Sequence, residues 1–98
     1  MLPEDRVTRS RLLRCARLLL DWSQARLACE VGVSTSTIYA VESGRLSAVS
    51  PAAQNVVLAL ERGGVQFIDA ADPLGPGLRY SPPWPTRRRG AFASTPAS

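Results

Sequence analysis

The sequence contains no histidine and no lysine, and it has only two cysteines among its 98 residues. Without histidine, two cysteines do not complete an ordinary four-ligand zinc site. The serine and cysteine side chains also lack a histidine base to activate them as nucleophiles. No glycine-rich loop of the phosphate-binding type is present. The composition therefore argues against an enzyme, and it gives no sign of a metal or any other cofactor.

Long apolar runs are missing as well. The run of residues 18–20 follows Arg14 and Arg17 and is far too short to span a membrane. The first ten residues carry acids and arginines where a signal peptide has an apolar core. We therefore expect a cytoplasmic protein without a membrane partner. Its thiols, Cys15 and Cys29, should stay reduced and pack as small apolar side chains.

The charge is unevenly distributed along the chain. The net charge is +4, and all twelve basic residues are arginine. Residues 1–20 hold five arginines against two acids, residues 21–78 hold three against six, and residues 79–98 hold four with no acid. Positive charge therefore lies at both ends of the chain. A polyanion is a plausible partner, because neutralising phosphates supplies most non-specific affinity for nucleic acids.

The most informative stretch is residues 23–44, which contain two short helical patterns joined by a tight turn. In the first pattern, Leu27, Ala28 and Val31 recur at the spacing of one helix face. Ser23 precedes it as a natural N-cap, since its hydroxyl can accept a bond from a backbone N–H group. Gly32 follows where a left-handed residue can end a helix without a Cβ penalty.

The second helical pattern covers residues 34–43. Ser34 is suited to cap it, and Gly44 is suited to end it. Its inward positions are Thr37 or Ile38, and then Val41. Two helices that cross over such a short turn need a small residue where their axes come close, and Ala28 supplies it.

This arrangement resembles the helix-turn-helix of the Cro and phage-repressor type, in the xenobiotic-response-element-like family. The resemblance covers about residues 9–62. Small, turn, core and cap positions all agree, at Gln24, Leu27, Ala28, Gly32, Val33, Ser34, Ile38, Val41, Glu42 and Gly44. It implies a mainly α fold, a four-helix bundle of the lambda-repressor-like DNA-binding type. In this family Ala28, Gly32, Ile38, Val41 and Glu42 would be structural residues.

The resemblance also implies which residues contact double-stranded DNA. The second motif helix would lie in the major groove with its first residues against base edges. Base-reading positions fall at Thr35, Ser36 and Ala40, with Thr37 and Tyr39 nearer the phosphates. Three further positions would contact or approach the DNA backbone, namely Gln24, Arg45 and Arg17.

Arg17 has a second role by the same resemblance. An arginine seven residues before the glutamine of the motif pairs, in this family, with a glutamate late in the recognition helix. Arg17 and Glu42 occupy those positions. The pair would tie the first helix to the third, whereas an ordinary surface ion pair would contribute at most about 1 kcal/mol.

Outside the motif, the sequence predicts five further segments. Residues 1–8 form an N-terminal arm, and a first helix runs from Thr8 or Arg9 to Leu20, within a DNA-binding domain of residues 9–64. Ser50 and Pro51 open a fourth helix, whose inner stripe is Ala53, Val56, Val57 and Leu60. Residues 65–81 form a short hairpin, or one strand of them pairs across a dimer axis. Residues 82–98 form a disordered basic tail.

These patterns predict a sequence-preferring transcriptional regulator, expected to be a repressor that acts as a homodimer. The alternative is an antitoxin-like regulator or another protein-interaction module. Such a module would have the helical fold, a protein partner on the C-terminal segment and only non-specific binding of nucleic acid. RNA binding through the arginine tail is a weaker option, because the tail lacks interleaved aromatic residues.

Overall fold

A computed structural model describes residues 5–47 and 49–82. In this part of the chain four helices precede a two-stranded sheet, and the predicted mainly α fold is confirmed. The elements are α1 (Arg6–Leu19), α2 (Gln24–Val31), α3 (Thr35–Glu42), α4 (Pro51–Gly63), β1 (Val65–Ile68) and β2 (Gly77–Tyr80).

Helix α1 begins at Arg6, two or three residues earlier than predicted. The reason is local, because the Asp5 side chain accepts a 2.9 Å hydrogen bond from the Thr8 backbone N–H and caps the helix. Residues 6–8 are therefore helical and do not belong to the predicted N-terminal arm. The rest of that arm includes residues 1–4, which lie outside the described residues.

The core is built where the four helices and β1 meet. Each element contributes a buried apolar side chain, and the buried cluster is Leu13, Ala16, Leu27, Ala28, Ile38, Val41, Val56, Ala59, Leu60 and Val65. In α3 the inward residue is Ile38, and Thr37 is half-buried. In α4, Ala59 is buried and the predicted Val57 is only half-buried. Ala59 lies within the buried cluster, and Val57 packs against it.

Trp22 is half-buried in the link between α1 and α2 and packs against the core cluster. The end of α4 approaches its ring closely. A Cβ atom added at Gly63 would lie 2.8 Å from Trp22 Cη2 and 2.8 Å from Leu20 Cδ1. This close approach, with Gly64 in a left-handed conformation (φ 118°), fixes the direction in which the chain leaves the bundle.

The predicted hairpin forms within the chain. β1 pairs antiparallel with β2, and Val65 lies opposite Tyr80 while Phe67 lies opposite Leu78. The Tyr80 hydroxyl donates a 3.0 Å hydrogen bond to the Leu19 carbonyl, which attaches the hairpin to α1. The basic tail was predicted for residues 82–98, and residues 83–98 lie outside the described part.

Candidate nucleic-acid interface

The turn between α2 and α3 has the geometry that the sequence predicts. Gly32 adopts a left-handed conformation with φ 85°. The backbone N–H groups of Gly32 and Val33 both donate to the Ala28 carbonyl, at 2.8 and 3.0 Å. These two bonds satisfy a carbonyl group at the C-terminus of α2. Three residues, 32–34, then change the direction of the chain before α3 begins. Ser34 then caps α3 by accepting a 3.2 Å bond from the Thr37 N–H.

Helix α3 presents its first residues to the surface. Ile38 and Val41 are buried beneath it, and Thr35 and Ser36 are exposed on the opposite side. Ala40 is half-buried. Of the three predicted base-reading positions, Thr35 and Ser36 are therefore exposed at the N-terminal end of a helix whose other face is packed in the core.

Thr37 has a local partner as well. Its hydroxyl lies 3.1 Å from the Ser34 hydroxyl, within the N-terminal turn of α3. The predicted phosphate contact of Thr37 thus competes with a hydrogen bond that supports the cap. Any contact with DNA would have to share this hydroxyl.

The predicted Arg17–Glu42 pair is formed. Arg17 Nε donates to Glu42 Oε2 at 2.7 Å, and Arg17 Nη2 donates to Glu42 Oε1 at 3.2 Å. The side chains are 12% and 3% exposed, so this is a two-bond ion pair largely removed from water. Arg17 Nη1 also donates to the Trp22 carbonyl at 2.9 Å. One guanidinium therefore holds α1, the link to α2 and the end of α3 together.

Gln24 joins the same network, which the sequence did not predict. Its Nε2 group donates to Glu42 Oε1 at 3.2 Å. The first side chain of α2 is thus bound to the last residue of α3. For Gln24 to bind a DNA phosphate as well, its second amide hydrogen must point outward, because its carbonyl oxygen only accepts hydrogen bonds. Arg17 is better placed to support the interface than to lie on it, because it is turned toward Glu42 and Trp22.

Tyr39 and Arg45 lie together at the side of α3. Both residues are exposed, and the Arg45 guanidinium carbon lies 5.7 Å from the centre of the Tyr39 ring. At this distance the cation is attracted to the face of the ring. Tyr39 and Arg45 were both predicted to lie near phosphates, and they therefore form one small unit. In it the ring limits the movement of the Arg45 side chain.

Two arginines of α1 form contacts that the apolar spacing in the sequence did not predict. Arg9 is 5% exposed, and its Nη2 group donates to the Leu46 carbonyl at 3.3 Å, across the bundle. Its spacing from Leu13 and Ala16, four and seven residues, is the signal that could have placed it on the buried face. Arg14 donates from Nη2 to the Glu42 carbonyl at 3.4 Å.

Across residues 5–47 and 49–82, no group of three or more side chains of the metal-ligating types comes together. Cys15 and Cys29 were expected to pack as small apolar side chains, but both are exposed. None of the helices in these ranges has both the length and the apolar character needed to cross a membrane.

Comparison with known proteins identifies the family. A family model described as helix-turn-helix matches residues 13–65, more than half of the chain. The match runs from the middle of α1 to the first residue of β1, and so includes the turn, α3 and the Arg17–Glu42 pair. No curated protein matches the chain. The chain belongs to the Cro/C1-type helix-turn-helix family, a DNA-binding family of transcription regulation.

Proposed function

We propose that this protein is a sequence-preferring transcriptional repressor that binds double-stranded DNA as a homodimer. In this proposal α3 lies in the major groove, and Thr35, Ser36 and Ala40 face base edges. Gln24, Thr37, Tyr39 and Arg45 face the phosphates of the DNA backbone. A regulator of this kind would act in the cytoplasm.

The observation that carries the proposal is the contrast between the two ends of α3. Its first side chains, Thr35 and Ser36, are exposed. Its last residue, Glu42, is 2% exposed and receives hydrogen bonds from Arg17 and Gln24. A helix fixed at one end and open at the other can hold polar side chains in a groove without the entropic cost of ordering the backbone there.

The side chains on this surface support modest discrimination between bases. Serine and threonine hydroxyls bond several bases, and the threonine methyl group can contact the methyl of thymine. Neither provides the two-bond pairing of arginine with guanine. In this proposal, DNA shape and contacts with the DNA backbone also contribute to the preference for a site.

The same geometry supports repression by a homodimer. Two copies related by a two-fold axis would place two α3 helices on half-sites about one helical turn, or roughly 10 bp, apart. Occupying such a site excludes other proteins from it and needs no further chemistry. The hairpin of residues 65–81 is the proposed dimer contact, because within the described residues each strand pairs on one side only and Leu74 is 71% exposed.

The test is selection of bound fragments from genomic DNA, followed by salt titrations on the selected duplex. The variant is Thr35→Ala/Ser36→Ala, and the matched control is Gln54→Ala/Asn55→Ala, which changes two exposed polar residues on α4. We expect an inverted repeat to be enriched. The variant should lose preference for the site about 10-fold or more, equivalent to about 1.4 kcal/mol, and keep its affinity for mixed-sequence DNA.

Two results would contradict this proposal. Equal site preference in the variant and the control would show that α3 does not read bases. If no site is enriched and removal of residues 82–98 abolishes all binding, the tail is a general polyanion contact. The antitoxin-like or interaction-module function would then replace the repressor.

A further inference from the structure

A basic groove runs along α1 and opens onto the C-terminal end of α3. It is an open depression of about 440 Å³. Its wall is formed by α1 and the C-terminal end of α3, and it includes Arg6, Ser10, Arg11, Arg14, Ser43 and Gly44. Three of these six residues are arginines, all exposed.

The acid nearest to the groove is already neutralised. Glu42 contributes to the wall, but its carboxylate is bound by Arg17 and Gln24 and its side chain is 3% exposed. It is the Glu42 backbone carbonyl that faces α1, where it accepts the bond from Arg14. Asp5 interacts with the charge of Arg11 at the far end of the groove. Arg6 and Arg14 leave the groove positive overall.

The groove is continuous with the proposed DNA surface. Gln24 is bound to Glu42, Arg14 is bound to the carbonyl of the same residue, and Arg45 follows Gly44 in the chain. Two of the proposed phosphate contacts, Gln24 and Arg45, are thus each next to a residue of the groove wall, Gln24 to Glu42 and Arg45 to Gly44. From there Arg14, Arg11 and Arg6 continue along α1 for about 12 Å.

We propose that this groove binds the DNA backbone beyond the major-groove contact, with Arg11 and Arg14 each neutralising one phosphate. The inference rests on the proposed function in that DNA is the partner. Its physical basis is the match of a row of exposed cations to a row of phosphates, which are spaced about 3.4 Å apart along the axis on each strand. The contact adds affinity and fixes orientation, and it carries no base preference.

The test compares the salt dependence of DNA binding for the full chain and for Arg11→Gln/Arg14→Gln. Both are measured on the selected duplex and on a mixed-sequence duplex. The control is Arg62→Gln, which removes an exposed arginine from α4. A charge-keeping variant, Arg11→Lys/Arg14→Lys, and a thermal melt of each protein separate loss of charge from loss of fold.

The slope of log K against log salt should become less steep by about 1.8 in Arg11→Gln/Arg14→Gln, at about 0.9 for each phosphate released. The ratio of specific to non-specific affinity should not change. The control should keep the wild-type slope, and the lysine variant should restore it. Methylphosphonates placed singly beside the footprint should weaken binding of the wild type and not of the glutamine variant.

The inference is overturned if the slope of the glutamine variant equals that of the wild type, or if the control loses as much. In either case an enriched site that depends on Thr35 and Ser36 leaves the repressor proposal standing. Conversely, if no site is enriched but the slope on mixed-sequence DNA falls only in the groove variant, the groove inference stands and sequence preference fails. A wild-type chain that binds no DNA refutes both.

Discussion

Two ion pairs in this protein have the same chemistry and opposite surroundings. Arg17–Glu42 and Arg26–Glu30 both join an arginine Nε to a glutamate oxygen, at 2.7 and 2.8 Å. The first joins two helices and is 12% and 3% exposed; the second lies within α2 and is 54% and 40% exposed. Distance alone does not distinguish them. Burial and the connection between separate helices do.

The surroundings decide what each pair can contribute. In Arg26–Glu30 both charges remain in water, and the pair stabilises α2 by a few tenths of a kcal/mol. Arg26 has a further contact, because its guanidinium carbon lies 4.7 Å from the centre of the Trp22 ring. In Arg17–Glu42 the charges have left water, so each depends on the other for compensation. The buried pair is therefore the one that fixes α3.

The largest effect is expected from Glu42→Ala. Removing this carboxylate leaves Arg17 buried without its charged partner, and such a change costs about 3 kcal/mol of the free energy of unfolding. Urea denaturation measures this loss of free energy. The matched control is Glu30→Ala, which removes an exposed carboxylate. Equal losses in the two variants would show that burial does not separate the pairs.

A smaller loss is expected from Gln24→Ala. The variant removes a hydrogen bond to the buried carboxylate, worth about 1.5 kcal/mol. A double-mutant cycle with Glu42→Gln measures the coupling between positions 24 and 42. If Gln24 acts only through phosphate contact, the cycle will give no coupling and the loss will appear in DNA binding alone.

The change Arg26→Ala should lower the free energy of unfolding by less than about 1 kcal/mol, because its partners are exposed. The loss should shrink further in about 1 M salt, which screens exposed charges and affects the buried pair little. Thermal melts at low and high salt check both statements. A salt-independent loss would point to packing of the arginine stem on Trp22 instead.

The smallest effect concerns an exposed carboxylate, Asp5, and depends on pH. The Thr8 hydroxyl and N–H, with the charge of Arg11, hold the pKa of Asp5 below its ordinary value of 3.8. A lowered folded-state pKa gives stability that is present above pH 3.8 and is lost as the pH falls through the folded value. Asp5→Asn keeps a capping oxygen and should reduce this acid dependence, measured as melting temperature between about pH 2 and 6. The prediction would be contradicted if the melting temperature of Asp5→Asn depended on acid pH in the same way as that of the wild type.

Much of the motif could be predicted because it depends on neighbours in sequence. Ser23, Ser34 and Ser50 cap their helices as expected, each by accepting from the N–H three residues later. Gly32 and Gly64 end helices in left-handed conformations. The Arg17–Glu42 pair was found differently, through the family resemblance, since a separation of 25 residues carries no local signal.

Other features were not predicted from the sequence, for identifiable reasons. The predicted start of α1 is too late, because the sequence pattern assigns Asp5 to an arm and the residue instead caps the helix through Thr8. Arg9 is an arginine on a buried face, which an apolar pattern does not register. Asp21 takes a left-handed conformation with φ 58°, in the link where Trp22 offers its carbonyl to Arg17.

What the sequence by itself determined is the set of helices, their caps and the tight turn, because these follow from interactions within about four residues. Only the tertiary structure decided which polar groups meet, namely Gln24 with Glu42, Arg14 with the Glu42 carbonyl and Arg9 with the Leu46 carbonyl. Those contacts span 18 to 37 residues. They exist because packing of the apolar faces brings the helix ends together, and no local pattern encodes that geometry.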